Sequence, residues 1–578
     1  MRPSLRLLRI FAIRWLGHGR ALGTVIVTAL LLPICVRQCH SQTAYGSDHL
    51  SDKISGTVLN SLTHEPIDRA LVYTLDERSA AFTDEHGHFE LILAVTADMS
   101  DPRPRAEIHE RLQAKKPGFV TEQGRHGSID VIPGQNDVIL SLVPEALIVG
   151  HVKLPSTEPA DHVQVQLYRR EVRNGFGPWV PQTTVTSLAD GEFRFADLEA
   201  GEYKIFTLEA TEQDPLAEVP NGPVFRFPPR FFAAARDFAT ADTIRLRAGE
   251  VFNANITPER QRYYDIRIPM NPAAPGGVPE MSVSVFAQGR RGPGFELGFD
   301  RSQNAIVGSL PNGSYTIEAM TLGTAGMTNI TVANGALNGA PLTLAQNTSI
   351  EVDISQDMSG ADNRLPQVKD APNRPLAYVR LESAEEFQDQ RNLGRSYQSN
   401  GDPPALLGVK PGRYWVQVQA AGGQGYASSV TSGGKDLLRG PLIVPFGSSV
   451  PPIEITMRYD ISDLEVIVED PAKGLAIGAN TPAVGATTTA VHPREDVSVY
   501  CIPVGGNGGP PAVPNRVADG RYVMQIPPGD YLVLAFDTPQ QIEYRNPTAM
   551  HAYESKGQVL HVTSGQKLEV RLQAVESE

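Results

Sequence analysis

Four times in this chain a glycine, a variable residue and a tyrosine lead into an alternating apolar run. The copies are "LEAGEYKIFTLEA" from Leu198, "LPNGSYTIEAMTL" from Leu310, "VKPGRYWVQVQA" from Val409 and "IPPGDYLVLAFD" from Ile526. Read as a strand, the third copy puts Tyr414, Val416, Val418 and Ala420 on one face and Arg413, Trp415, Gln417 and Gln419 on the other. Two positions after the tyrosine, the other copies carry Ile205, Ile317 and Val533. A tyrosine followed at that spacing by a β-branched residue suits the inner face of a β-sandwich. Pro411-Gly412 and Pro528-Gly529 fit type II turns, with proline fixing φ and glycine taking a positive value.

Such a tyrosine fills the edge of a core while its hydroxyl reaches back to an upstream backbone group, the tyrosine corner of Greek-key sandwiches. Tyr203, Tyr315, Tyr414 and Tyr531 are therefore expected to be structural. They stand 112, 99 and 117 residues apart, about one immunoglobulin-sized sandwich each. An alternating strand follows each of them, from Ala248, Ala345, Phe446 and Ser564. "LADGEFRF" from Leu188 and "VADGRYVMQI" from Val517 carry the Asp-Gly of a tight hairpin. Helical periodicity is scarce, with one short helix expected between Asp101 and Ala114. An excess of turn formers, Gly 52 and Pro 46 among 578 residues, fits the same all-β reading.

The first 41 residues are different. Arg2, Arg6, Arg9, Arg14 and Arg20 precede the uncharged run "ALGTVIVTALLLPICV" from Ala21, and "CHSQ" offers small residues for a cut after Ser41. At 16 residues the run is shorter than the ~20 a bilayer span prefers. A cleaved secretory signal and a retained N-terminal anchor both fit it. Either way the remainder is exported, to the periplasm, the outer envelope or the exterior, and touches a membrane only through this segment.

Six of the 51 basic residues lie in the leader, leaving 45 against 65 acidic ones and a formal charge near −20 on the exported part. Such a surface repels phosphate backbones, which excludes nucleic acid as an expected partner. Outside the leader a single cysteine remains, in "VSVYCIPV", where Cys501 reads as a small core side chain.

Residues 54 to 95 read "ISGTVLNSLTHEPIDRALVYTLDERSAAFTDEHGHFELILAV". The "ISGTV" opening strand, "EPIDRALV", the "TDEHGHFEL" turn, "AKKPGFV" and the closing "DVILSLV" come in a characteristic order. Over residues 52 to 143 the chain resembles the carboxypeptidase regulatory-like family, a transthyretin-like sandwich grouped with carbohydrate-binding-like folds. The resemblance implies a non-catalytic accessory domain and, by analogy, glycan binding. It implies no peptidase here, since no stretch is free to be one.

The expected architecture is an all-β tandem array: a signal or anchor at 1–41, sandwiches at 52–143, 145–258, 259–355, 376–458 and 459–575, and a linker at 356–375. Loops are expected at 270–280, 471–491 and 505–516.

Motifs for chemistry are sparse. No H-E-x-x-H, G-x-S-x-G or P-loop occurs. "HAYE" from His551, the pair His86 and His88, and "SGGK" from Ser432 match zinc or acyl-enzyme patterns in spacing alone. The expectation is therefore no catalytic residue, no metal and no cofactor. For binding, "VFRFPPRFFAAARDF" from Val224 is the candidate: Phe225, Phe227, Arg230, Phe231 and Phe232 could stack on a sugar or peptide, with Trp415 as a second exposed ring.

The leading expectation is an exported non-catalytic protein that binds carbohydrate, peptide or an envelope protein. The alternatives are an envelope spacer and, last, a hydrolase with a cryptic site between modules. Buried rings in the Phe225–Phe232 patch favour the spacer, and exposed coplanar ones the binder.

Overall fold

The computed structural model describes residues 53–575 except 94–109, 122–127, 156–159, 212–223, 272–280, 359–375, 388–395, 422–424, 470–496, 505–510 and five single positions. The leader at 1–41, the loop at 471–491 and most of the expected linker lie outside the described residues. Within them the chain is a tandem array of β-sandwiches with one helix, Pro547–Glu554. No described helix is long and apolar enough to cross a membrane.

Each sandwich closes on its own apolar core. In the first, Lys53–Asn60 runs between His88–Ile92 and Val138–Pro144, facing a sheet of Ala80–Phe82, Leu71–Thr74, Glu110–Lys115 and Ser128–Val131. Ile54, Val58, Phe89, Leu112 and Leu140 fill the space between. Their alternation with exposed neighbours is the period-2 pattern of half-buried strands. It explains why the expected helix between Asp101 and Ala114 is wrong over its described part: in Glu110–Lys115, Leu112 and Ala114 point inward at strand spacing.

The second core gathers Ile148, Val165, Phe193, Phe195, Tyr203 and Ile205, and the third Ile266, Ile268, Val285, Tyr315 and Ile317. The fourth gathers Ile350, Val352, Val379, Tyr414 and Ile455, and the fifth Leu464, Val466, Cys501, Tyr531 and Val533.

One topological rule is common to all five. The opening strand of each sandwich pairs in parallel with one near its end, which is the last strand except in the third, where Ala345–Gln346 follows and pairs antiparallel with Thr324–Val332. Lys53–Asn60 lies beside Val138–Pro144, and Ala146–His151 beside Val251–Asn253. Gln261–Pro269 lies beside Leu337–Asn338, Thr348–Gln356 beside Ile453–Arg458, and Ser462–Glu469 beside Lys567–Gln573.

That rule moves two boundaries. Thr348–Gln356, expected to close the third sandwich at residue 355, opens the fourth, pairing with Ala405–Val409 and Ile453–Arg458. Its Ile350 and Val352 sit in the fourth core. In addition, Val224–Phe227, expected inside the second sandwich (145–258), pairs with Gln261–Pro269 and extends the third one's sheet. Its pairing with Tyr263, Arg262 and Gln261 covers the start of that strand on the edge where Leu337–Asn338 pairs only from Ile266.

The four recurring tyrosines form corners of one geometry. Each phenol donates to the carbonyl four residues upstream: Tyr203 to Glu199 at 2.8 Å, Tyr315 to Pro311 at 3.0 Å, Tyr414 to Lys410 at 2.8 Å and Tyr531 to Pro527 at 2.9 Å. All four rings are buried. The glycine does not serve as expected. Gly412 and Gly529 have φ of 153° and 151°, far from the ~+80° of a type II turn, and both already belong to the strand. Glycine is favoured at both because an L side chain is strained at those φ values. At Gly313 the ring itself is the constraint, since a Cβ there would stand 2.8 Å from the Tyr315 hydroxyl, whereas one on Gly412 would be in ordinary contact at 3.4 Å from that of Tyr414.

The two Asp-Gly turns also part ways. Residues 515–518 and 521–526 form a hairpin across Gly520. By contrast Asp190-Gly191 carries the chain from one sheet of the second sandwich to the other, since Trp179–Thr186 and Glu192–Leu198 have different partners.

Candidate functional site

The segment from Val224 was the sequence's candidate for ligand contact, and its rings point into the protein. Phe231 is 3% exposed and stacks on Phe206 at 4.8 Å between ring centres, with Phe238 edge-on at 6.2 Å. Phe232 is half-buried against the second core, edge-on to Phe252. Phe225 lies under the guanidinium of Arg260 at 4.5 Å, and Arg230 pairs with Glu259 at 3.2 Å. Phe227 is half-buried and pairs through its backbone with Ala210. An exposed stacking platform for a ligand is therefore absent here. The reason is that the Pro228-Pro229 turn sends Phe231 back along Gly201–Thr207 as an added strand, where it covers an otherwise open apolar end.

What Phe231 helps to build is a joint between modules. Tyr168, Phe206, Phe231 and Phe238 form an aromatic cluster against which Trp179 and Phe387 pack. Phe387 comes from the fourth sandwich, 5.5 Å from both Tyr168 and Phe238, and the Trp179 backbone N–H donates to the Glu386 carbonyl at 2.7 Å. At the centre of the cluster lies the buried amine of Lys204. It donates to the Phe238 carbonyl at 2.8 Å and sits 5.0 and 4.9 Å from the Trp179 and Phe238 ring centres. Burial holds this amine below the ordinary lysine value, against the pull of Asp237, Asp242 and Glu386.

Trp415 belongs to a second joint. It was expected to be exposed because it faces away from the fourth core. Instead its ring is half-buried, with the Arg545 guanidinium of the fifth sandwich over it at 4.2 Å and Phe176 of the second 6.4 Å away. Around it the tip of a loop from the second sandwich is held by the fifth. Arg170 reaches Glu543 at 2.7 Å, and Arg545 donates its backbone N–H to Gly175 and its Nε to Asn174, both at 3.0 Å. Gly175 has φ of 74°, and a Cβ there would meet the Tyr544 ring at 2.3 Å, so this close approach requires glycine twice over. Asn174 also donates to Glu382 of the fourth.

Between the second, third and fourth sandwiches these joints leave a cleft of about 390 Å³, within the ~300–1,000 Å³ typical of small-molecule sites. Tyr168, Phe206 and Phe387 form an aromatic wall. Opposite, Arg291 binds the buried Glu318 of its own sandwich and reaches Glu385 of the fourth at 3.4 Å. Burial alone pulls the Arg291 guanidinium down, yet the carboxylates of Glu318 and Glu385 outweigh it and hold the group above its ordinary value. Glu385 also accepts the Arg413 backbone N–H at 3.0 Å. The trio ties two modules together and gives the cleft a polar floor. No motif marked it, because its three residues come from distant positions that only the array brings together.

The remaining sequence motifs are accounted for locally. Asp84 accepts the backbone N–H groups of His86 and His88 and shapes a turn, and His88 Nδ1 meets Thr57 Oγ1 at 2.9 Å. His551 and Glu554 are exposed on the helix and pair with each other. Ser432 donates to Pro451 and Lys435 to Pro441, so the two do not form a Ser–Lys pair. Among the described residues no group of three or more His, Cys, Asp or Glu could hold a metal ion. Cys501 is fully buried, and burial pushes its thiol up to about 12.

No protein-family model matches this chain, and no curated protein matches it in sequence. Solved structures with some likeness include the TIE protein of Bacillus anthracis, 11% identical over 74% of each chain with a TM-score of 0.14. The minor pilin GBS52 of Streptococcus agalactiae is 12% identical, over 39% of this chain and 100% of its own, with a TM-score of 0.18. The shaft pilin SpaA of Lactobacillus rhamnosus GG is 9% identical, over 36% of this chain and 97% of its own, with a TM-score of 0.17. Superpositions this loose do not bear on what the present chain does.

Proposed function

We propose that this is an exported, non-enzymatic scaffold of the cell envelope whose sandwiches are held in a fixed arrangement. The observation that carries this reading is the burial of the Phe231 cluster against Phe387. The aromatic surface best suited to a ligand is used to join one module to another. The basic leader with its apolar run supports export, and the front sandwich serves as a carboxypeptidase regulatory-like accessory module. Small-angle scattering of the exported part tests the reading. A fixed array gives one compact profile that does not change with temperature below unfolding. Profiles of a freely jointed chain would sink it.

A second reading is favoured by the cleft among the second, third and fourth sandwiches, whose aromatic wall and charged floor suit a short glycan or peptide. Its test is a glycan and peptide array repeated with Ser284→Trp, which fills the cleft. Binding that survives the change would remove the cleft from consideration.

A further inference from the structure

The parallel pairing of first and last strands has a mechanical meaning. Tension along a tandem chain enters each sandwich at the start of its first strand and leaves at the end of its last. In a parallel pair these points lie at opposite ends of the ladder. Its hydrogen bonds are then loaded in shear and must give together. In an antiparallel pair the two points would share one end, and the bonds would open one at a time.

We propose that this chain resists tension along its length, with the parallel first–last strand pair of the first, second, fourth and fifth sandwiches as the resisting element. The inference deepens the scaffold reading and rests on it for its setting, but the geometry it uses lies within single modules.

The ladders differ in length, which ranks the modules. The fifth is longest, residues 463–469 beside 567–573. The first (56–60 beside 138–142) and the fourth (352–356 beside 453–457) are intermediate, the latter extended by Asp357 N–H to the Met457 carbonyl at 2.9 Å. In the second, 147–149 lies beside 251–253, prolonged by the Val152↔Ile256 bridge. The third is weakest, with 266–267 beside 337–338 and the Met270↔Leu342 bridge, and its chain leaves through Ala345–Gln346, which pairs antiparallel with Thr324–Val332. Two of the joints between modules are short. The first sandwich ends at Pro144 and the second begins at Ala146, while the fourth ends at Arg458 and the fifth begins at Ser462. Across these two joints force passes from ladder to ladder with little slack, whereas seven residues separate Asn253 from Gln261.

Single-molecule pulling on the fifth module separates shear geometry from plain stability. The full chain is used, with Cys35→Ser and Cys39→Ser, and the buried Cys501 thiol stays out of reach of the handles. Handles on Asp463→Cys and Gln573→Cys load the ladder from opposite ends. Handles on Asp463→Cys and Lys567→Cys, which face each other, load it from one end. Positions 567 and 573 are exposed, and Arg571→Cys replaces the far handle if Gln573→Cys alters the urea midpoint. At one loading rate the first geometry is expected to need at least about twofold more force, because forced unfolding reads the barrier and not the equilibrium stability. Equal forces in the two geometries would overturn the proposal. Failure of the scattering test alone would remove the fixed arrangement of modules and leave this result standing.

Discussion

The four tyrosine corners and the segment from Val224 to Phe238 are both aromatic and both turn rings toward the protein, but they are fixed by contacts of different range. A corner is local. Its hydrogen bond spans four residues, its glycine is two positions away, and the alternation that buries the ring is carried by the same strand. The Val224 segment has no such closure. Phe225 goes to the third sandwich's edge, Phe231 to the second's aromatic end, and Phe387 of the fourth completes the cluster. A corner belongs to one sandwich, in the second to the fifth, whereas the segment joins sandwiches to one another.

The comparison can be broken by substitution. Phe231→Ala should have the largest effect, removing a ring that is 3% exposed and stacked on Phe206. A loss of about 3–5 kcal/mol in urea unfolding of the second sandwich is expected, together with loosening of the fourth at Phe387. A loss below about 1 kcal/mol would mean that the ring is not part of a packed joint.

Tyr414→Phe should cost less, about 1 kcal/mol, since it removes one hydrogen bond and keeps the ring. The effect should be confined to the fourth sandwich. Comparable destabilisation of its neighbours would show that corners are not local after all.

The smallest effect near neutrality is one of pH. Burial pushes the Tyr203 phenol up to about 12, and it raises those of Tyr315 and Tyr531 as well. A phenol with a folded pKa above its unfolded value near 10 contributes stability that is complete below pH 10 and is lost as pH rises through the folded value. Stability should be flat from pH 7 to 9 and fall between pH 10 and 12. Ultraviolet titration should show these tyrosines ionising together with unfolding. Ionisation at pH 10 in a chain that stays folded would contradict the burial of the corner rings.

What the sequence made legible follows the same division. The sandwiches and the inward-facing residues of "VKPGRYWVQVQA" could be read because period-2 burial and a four-residue hydrogen bond are written into one short stretch. The role of the glycine was misread: Pro-Gly suggests a type II turn, yet Gly412 and Gly529 have φ of 153° and 151° and already belong to the strand. Thr348–Gln356 was given to the wrong module because an alternating strand looks the same at the end of one sandwich and the start of the next. Its partners, 405–409 and 453–458, lie far along the chain. Trp415 was judged by the face it occupies, and the face turned away from its own core is covered by Arg545 of another module. The cleft with Arg291, Glu318 and Glu385 had no sequence trace, since its chemistry exists only once three sandwiches meet.

The arrangement of modules is best tested by the distance between spin labels on Asp190→Cys of the second sandwich and His551→Cys of the fifth, both exposed positions, in a chain with Cys35 and Cys39 changed to Ser. The account predicts a single narrow distance that broadens when Arg170→Ala and Phe387→Ala release the joints. A broad distribution in the parent chain, unchanged by those substitutions, would contradict it.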